Sequence, residues 1–272
     1  MRSLLLALLL TGCPSAVCPA ARFTTAEELV SSYRRARSPV RGVTAEARVE
    51  RNDASGRIRG TVFMMLARPD RVRFDAMTQF GPAAVLTSDG TTFSLADLRE
   101  NRFFTGPTCA ENIALLVGIS MEGEELAGLL LGQTPTLAGA SEVVCEAGRY
   151  VVTVTTEDGR RERLEYALRE GDEAAAPDAQ HLRLMRAERF DGDELAWRVT
   201  YDDYRVVEDP ADAASPRRGV ALPYRIRFEH PAQGVDTLVR VRSFELNPEL
   251  PEDAFVQEVR PGMSVEPVEC GP

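Results

Sequence analysis

The side chains that do most acid–base and metal chemistry are scarce in this 272-residue sequence. It has 2 histidines, His181 and His230. A zinc centre would therefore have to gather carboxylates and cysteines from scattered places, and no metal-ligand spacing occurs. There is no Gly-x-Ser-x-Gly elbow and no phosphate-cradling glycine loop; the run Gly118-Ile119-Ser120-Met121-Glu122-Gly123 has the wrong spacing for the elbow. The acid pairs Asp202/Asp203 and Glu124/Glu125 are neighbours in sequence. Neighbours on a strand point to opposite faces, so these read as solvated charge and not as a general acid with its base. The sequence reads as that of a protein that binds something. No catalytic residue, metal or organic cofactor is expected.

The remaining chemistry belongs to the 5 cysteines. Arg2 precedes an apolar run, residues 4–10, too short to span a bilayer, which takes about 20 residues. It suits a secretory signal peptide. The run ends in Leu10-Thr11-Gly12-Cys13, which resembles a bacterial lipobox. In such a motif the small residue before cysteine admits the signal peptidase, and the thiol accepts the lipid. Cys13 is then expected as the acylated first residue of the mature chain; several acyl chains, at ~0.8 kcal/mol per buried CH₂, anchor stably where one does not. Residues 1–12 are read as signal peptide, 13–22 as a lipidated tether and 23–272 as one domain with a polar C-terminal tail. The expected location is the bacterial envelope, at the periplasmic face of the outer membrane. Cys18, Cys109, Cys145 and Cys270 form an even set, as disulfides or as buried thiols. Cys109–Cys145 with Cys18–Cys270 is one of the pairings the sequence allows.

A net charge of −10, from 32 basic and 42 acidic residues, with the arginines dispersed along strands, argues against a nucleic-acid partner. With 44% apolar and 27% charged residues the chain is neither disordered nor a polytopic membrane protein.

Several elements must position whatever binds. Thr25 to Glu28 forms a capping box opening a helix that carries Leu29, Val30, Tyr33 and Ala36 and stops at Pro39. Period-two alternation gives strands at 43–50, 58–66, 71–76, 83–88, 91–95, 149–156, 161–168, 182–190, 195–201, 224–229 and 237–244. Turn signals join them, such as Asp89-Gly90 and Asp191-Gly192-Asp193. The end of 58–66 is apolar on both faces, as in a strand covered on both sides. Two short leucine-rich helices are expected at 109–118, opened by a second capping box from Thr108 to Glu111, and at 122–132. The fold class is mainly β (α+β): a curved antiparallel half-barrel of about ten or eleven strands with a helical lid and an apolar cavity.

This order of parts resembles the LolA/LolB superfamily, and most of all the outer-membrane lipoprotein receptor LolB. The local match runs from Leu115-Leu116-Val117-Gly118-Ile119 through Leu129-Leu130-Leu131-Gly132-Gln133-Thr134-Pro135, with one extra residue between Gly132 and Pro135. Phe80-Gly81 sits where that family places a protruding Leu-Gly. The resemblance implies a concave sheet face that takes acyl chains of lipoproteins or lipids, a LolA-like periplasmic carrier as donor, and delivery to the outer membrane. The cavity lining it points to is Val62, Met64, Phe74, Leu86, Phe93, Leu116, Leu129, Leu130, Trp197, Ile226 and Phe228, with Phe80 and Gly81 as the membrane-insertion loop. The longer chain, the loops at 170–179 and 208–219 and the Pro-rich tail depart from the family. Two other functions fit the same residues: an envelope sensor of mislocalised lipid, and a structural or assembly lipoprotein whose interior is simply filled.

Overall fold

The structure is a computed structural model that describes residues 17–54, 56–117, 120–134, 137–209 and 219–271. The alternating runs pair in long hairpins: β1 (Gly42–Asp53), β2 (Gly56–Ala67), β3 (Arg71–Thr78), β4 (Gly81–Ser88), β5 (Thr92–Asp97) and β6 (Arg102–Pro107). After two helices the chain resumes with β7 (Ala140–Glu146), β8 (Arg149–Thr155), β9 (Arg160–Leu168), β10 (Leu182–Asp191), β11 (Glu194–Val207), β12 (Val220–His230) and β13 (Val235–Leu246), and a short β14 (Ser264–Pro267) follows. All belong to one 14-stranded sheet in the order β14-β6-β5-β4-β3-β2-β1-β13-β12-β11-β10-β9-β8-β7. β1 against β13 is the seam where the two halves of the chain meet, with Val43 opposite Leu246 and Asn52 opposite Asp236. The outermost strands, β14 and β7, do not pair with each other, so the curved sheet stays open.

All the expected strands are present, and β6, β7 and β14 add to them. Each of the three disguises itself in sequence. β6 ends in Gly106-Pro107, a turn pair; Gly106 is needed because a Cβ there would overlap the Val268 carbonyl of the tail. β7 is an edge strand whose side chains are mostly exposed, so it has little apolar alternation to read. β14 lies in what reads as a polar tail, and pairs in parallel with β6.

One face of the sheet is apolar and covered; the other carries arginines and carboxylates in cross-strand pairs. Glu50 on β1 accepts from Arg57 on β2 at 2.6 Å and from Arg240 on β13 at 2.8 Å, and Glu188 on β10 accepts from Arg198 on β11 at 2.7 Å. These pairs, with their arginines reaching toward solvent, favour this strand register and intersperse positive with negative charge. β2 corrects the sequence reading. Its outward Met65 packs with Ala67, Leu250, Ala254 and Phe255, while Phe63 stays 42% exposed. The second cover is therefore a short C-terminal segment over one end of the strand.

Three helices cover the apolar face: α1 (Ala26–Arg35), α2 (Ala110–Val117) and α3 (Gly123–Leu130). Thr25 caps α1 by accepting the Glu28 N–H at 3.2 Å, and the Glu28 carboxylate takes the Thr24 hydroxyl. The expected box at Thr108 does not form. Its hydroxyl bonds Ser88 Oγ at 2.8 Å, and that partner comes from β4, which local sequence cannot reveal. α1 is fixed by a buried tyrosine network. Tyr33 Oη donates to the Gly132 carbonyl at 2.5 Å, Tyr204 Oη donates to the Leu184 carbonyl at 2.5 Å, and Tyr33 packs edge-on to Tyr166 at 5.0 Å. Arg37 lies over the Tyr33 ring and donates to the Ala221 carbonyl at 3.0 Å.

Both disulfides follow from the sheet's edges. Parallel pairing sets Pro267 opposite Thr105, which carries Cys270 to Cys109 at the start of α2, and the two are bonded. Cys145 on β7 faces Tyr150, whose ring meets Phe23 at 5.6 Å, and that contact brings the chain before Phe23 close enough for the Cys18–Cys145 bond. The illustrated pairing of Cys109 with Cys145 does not occur, because those residues sit at opposite edges of the sheet.

Candidate functional site

Val62, Met64, Phe74, Leu86 and Phe93 come from the β2–β5 half of the sheet, Trp197, Ile226 and Phe228 from β11 and β12, and Leu116, Leu129 and Leu130 from α2 and α3. All of them join one apolar cluster. Register accounts for it: Met64 faces Phe74, and Phe74 faces Leu86. Inward positions thus stack across strands before the helices close over them. Val62, Leu116 and Trp197 are half-buried, and the rest are buried.

None of the expected lining residues borders the opening on the helix-covered side. That opening is a groove of about 720 Å³ beside α1 and α3, bordered by Arg34, Arg35, Ser38, Arg68, Glu124, Glu125 and Gln133 among others. Arg68 donates to Gln133 Oε1 at 2.9 Å, and burial lowers its guanidinium from the ordinary value. Arg68, Ala127 and Leu131 also border a small void of about 10 Å³ with Val40, Val43 and Leu66. The polar groove and the apolar interior therefore meet at α3. The sequence signalled none of this, since arginines at 34, 35 and 68 carry no common period.

The β3–β4 connection does what its residues predict. Thr78 pairs with Gly81, leaving Gln79 and Phe80 as the tip. Thr78 Oγ1 accepts the Phe80 N–H at 3.2 Å and donates to the Gly81 carbonyl at 2.9 Å. Gly81 adopts φ +119°, a conformation that side chains disfavour. Phe80 is left 91% exposed. Because antiparallel strands alternate in direction, this tip shares its end of the sheet with the β1–β2, β10–β11 and β12–β13 turns. α3 begins at the other end, where Gly123 packs against the Asp70 backbone between β2 and β3.

Glu162 on β9 was not foreseen. It is fully buried, pairs with Arg189 at 2.9 Å and accepts the Leu137 N–H at 3.1 Å. Burial pushes its carboxyl above the ordinary range, opposed by the hydrogen bond from Arg189. A carboxyl whose folded pKa is raised contributes stability below its unfolded pKa and loses it as pH rises through the folded value. Glu162→Gln is therefore expected to become more stable relative to the parent as pH rises across that window. Urea midpoints measured from pH 4 upward would show it; a difference that stays constant with pH would count against it.

Cys13 of the lipobox and Pro135 of the leucine-rich match lie outside the described residues.

No family model matches the sequence, and no curated protein matches it. Solved structures do. A DUF1329 family protein from Desulfovibrio piger superposes with a TM-score of 0.54 at 12% identity, covering 86% of this chain and 98% of that one. A LolA superfamily protein from Nitrosomonas europaea superposes with a TM-score of 0.53 at 12% identity, covering 86% of this chain and 99% of that one. At such identity the likeness is one of fold alone.

Proposed function

We propose that this is a lipid-anchored envelope protein that takes acyl chains of lipoproteins or lipids onto its apolar sheet face and passes them to the outer membrane. The observation that carries the reading is the cover of that face. β2–β5 and β11–β12 present apolar side chains to one cluster, over which α2 and α3, helices of 8 residues each, lie against β3–β5. Isolated helices that short are marginal in water, below roughly 12–15 residues, so their place depends on packing that an alkyl chain can replace. A chain of about fifteen methylenes gains about 12 kcal/mol on leaving water, at ~0.8 kcal/mol each, which sets the scale against which lifting the helices is offset. The shared fold of the LolA superfamily protein, the lipobox at Cys13, the exposed Phe80 and the paired cysteines all support it. In this reading Cys13 holds the protein to the membrane, Phe80 and Gly81 enter the bilayer surface, a periplasmic carrier delivers the cargo, and no bond is made or broken.

Hydrogen exchange tests it. Amides of 110–117 and 123–130 are expected to open before those of 195–201, and to slow when an acylated peptide is added, because lids are drawn from the least stable elements of a fold. Equal protection in both regions, with and without the peptide, would favour the second reading, a structural lipoprotein with a permanently filled interior. The burial of eight of the eleven lining residues in one cluster is the observation on that side.

A further inference from the structure

Most of the covered face is apolar, but the end that carries the Phe80 hairpin has a row of polar side chains on it. Strand register aligns them. Glu162 lies opposite Arg189, and Arg189 lies opposite Trp197. Trp197 and His230 each lie one residue beyond the Arg198–Glu229 pair that ends the β11–β12 ladder. His230 is opposite Val235, and two residues on, Thr237 is opposite both Phe228 and Arg51. The arginines are already neutralised: Arg189 bonds Glu162 at 2.9 Å and Arg51 bonds Asp53 at 2.5 Å. The Arg189 guanidinium also stands 5.1 Å over the Trp197 ring. Three buried polar atoms in the row make no hydrogen bond with the protein: Thr237 Oγ1, His230 Nδ1 and Arg51 Nε. Thr237 is only 2% exposed. A threonine at an inward position between Val235 and Val239 is a liability to a simple core, where valine has the same shape and no hydroxyl to satisfy.

We infer that this row receives the uncharged glycerol head of an acyl lipid, its hydroxyl and ester carbonyls meeting Thr237, His230 and Arg51 while its chains run along Val49, Val62 and Phe228. The chemistry sets the class. A hydroxyl, an imidazole nitrogen and one N–H suit oxygen donors and acceptors, and with each arginine held by a carboxylate the row offers no spare positive charge to a phosphate. The inference rests on the acyl-chain reading and narrows it to a ligand whose head is neutral.

Trp197 is the 1 tryptophan of the chain and lies in the row, so its emission reports occupancy of the full-length protein directly. The probes are dioctanoylglycerol, dioctanoyl phosphatidate and, for the apolar face alone, the dye N-phenyl-1-naphthylamine. Dioctanoylglycerol is expected to shift Trp197 emission and to bind about tenfold more tightly than the phosphatidate. Thr237→Val is expected to weaken glyceride binding about tenfold, the scale of one buried hydrogen bond, with dye binding and melting temperature retained. Equal glyceride affinity in Thr237→Val, or tighter binding of the phosphatidate, overturns the inference. Dye binding without glyceride binding overturns it and leaves the acyl-chain reading standing; binding of neither overturns both.

Discussion

Replacing Phe80 with glutamate is expected to leave the melting temperature within about 2 °C of the parent and to reduce delivery of cargo to liposomes by roughly 10–100-fold. The first half follows from exposure. Phe80 is 91% exposed at the tip of a two-residue turn held by Thr78 and Gly81, and surface changes away from such contacts usually stay within about ±0.5 kcal/mol. The second half follows from what an exposed phenyl ring can gain. Fully burying such a side chain contributes about 1.5–3 kcal/mol, which is lost when the tip carries a charge instead. The substitution therefore separates fold from membrane contact. If Phe80→Glu delivers cargo as well as the parent, the tip has no part in transfer. If it melts far below the parent, Phe80 is holding the fold together.

The double change Cys109→Ser, Cys270→Ser is expected to lower the melting temperature by on the order of 10 °C, from a loss of about 2–5 kcal/mol. The bond closes a sequence separation of 161 residues, and the Cys18–Cys145 bond one of 127. Long loops are where a crosslink removes most entropy from the unfolded chain. The bond also holds β14 against β6, a strand of 4 residues with parallel pairing, alongside the Arg102–Glu266 ion pair at 2.6 Å. In the double variant the tail from Ser264 onward should become open to protease before the sheet does. Dependence on this bond fits folding in an oxidising compartment, which accords with the envelope location proposed above. An unchanged melting temperature would show that the sheet carries its own edge.

The sequence made legible whatever depends on local period. Strands such as β3, with Val72 and Phe74 inward and Arg71 and Arg73 outward, declare themselves, as do helices bounded by Thr25 and by Gly132. Features that depend on distant partners were hidden. Thr108 looks like a helix cap until Ser88 is beside it, and Cys145 could have met any other cysteine until β7 became the far edge. The candidate lining was legible as a set, because inward positions of paired strands must meet. Whether those residues would line a cavity or fill one was not, because that depends on how closely α2 and α3 seat. The buried Glu162–Arg189 pair and Thr237 look like ordinary surface residues in a strand alternation. Only their register, on the covered face, makes them unusual.

Native mass spectrometry of the full-length protein released gently from bacterial membranes tests the central claim most directly. The account predicts an intact mass carrying acyl groups at Cys13, and a second population heavier by one acylated peptide or lipid that is lost on mild activation. A single species bearing only its own anchor, which stays unliganded after incubation with acylated peptide, would contradict it.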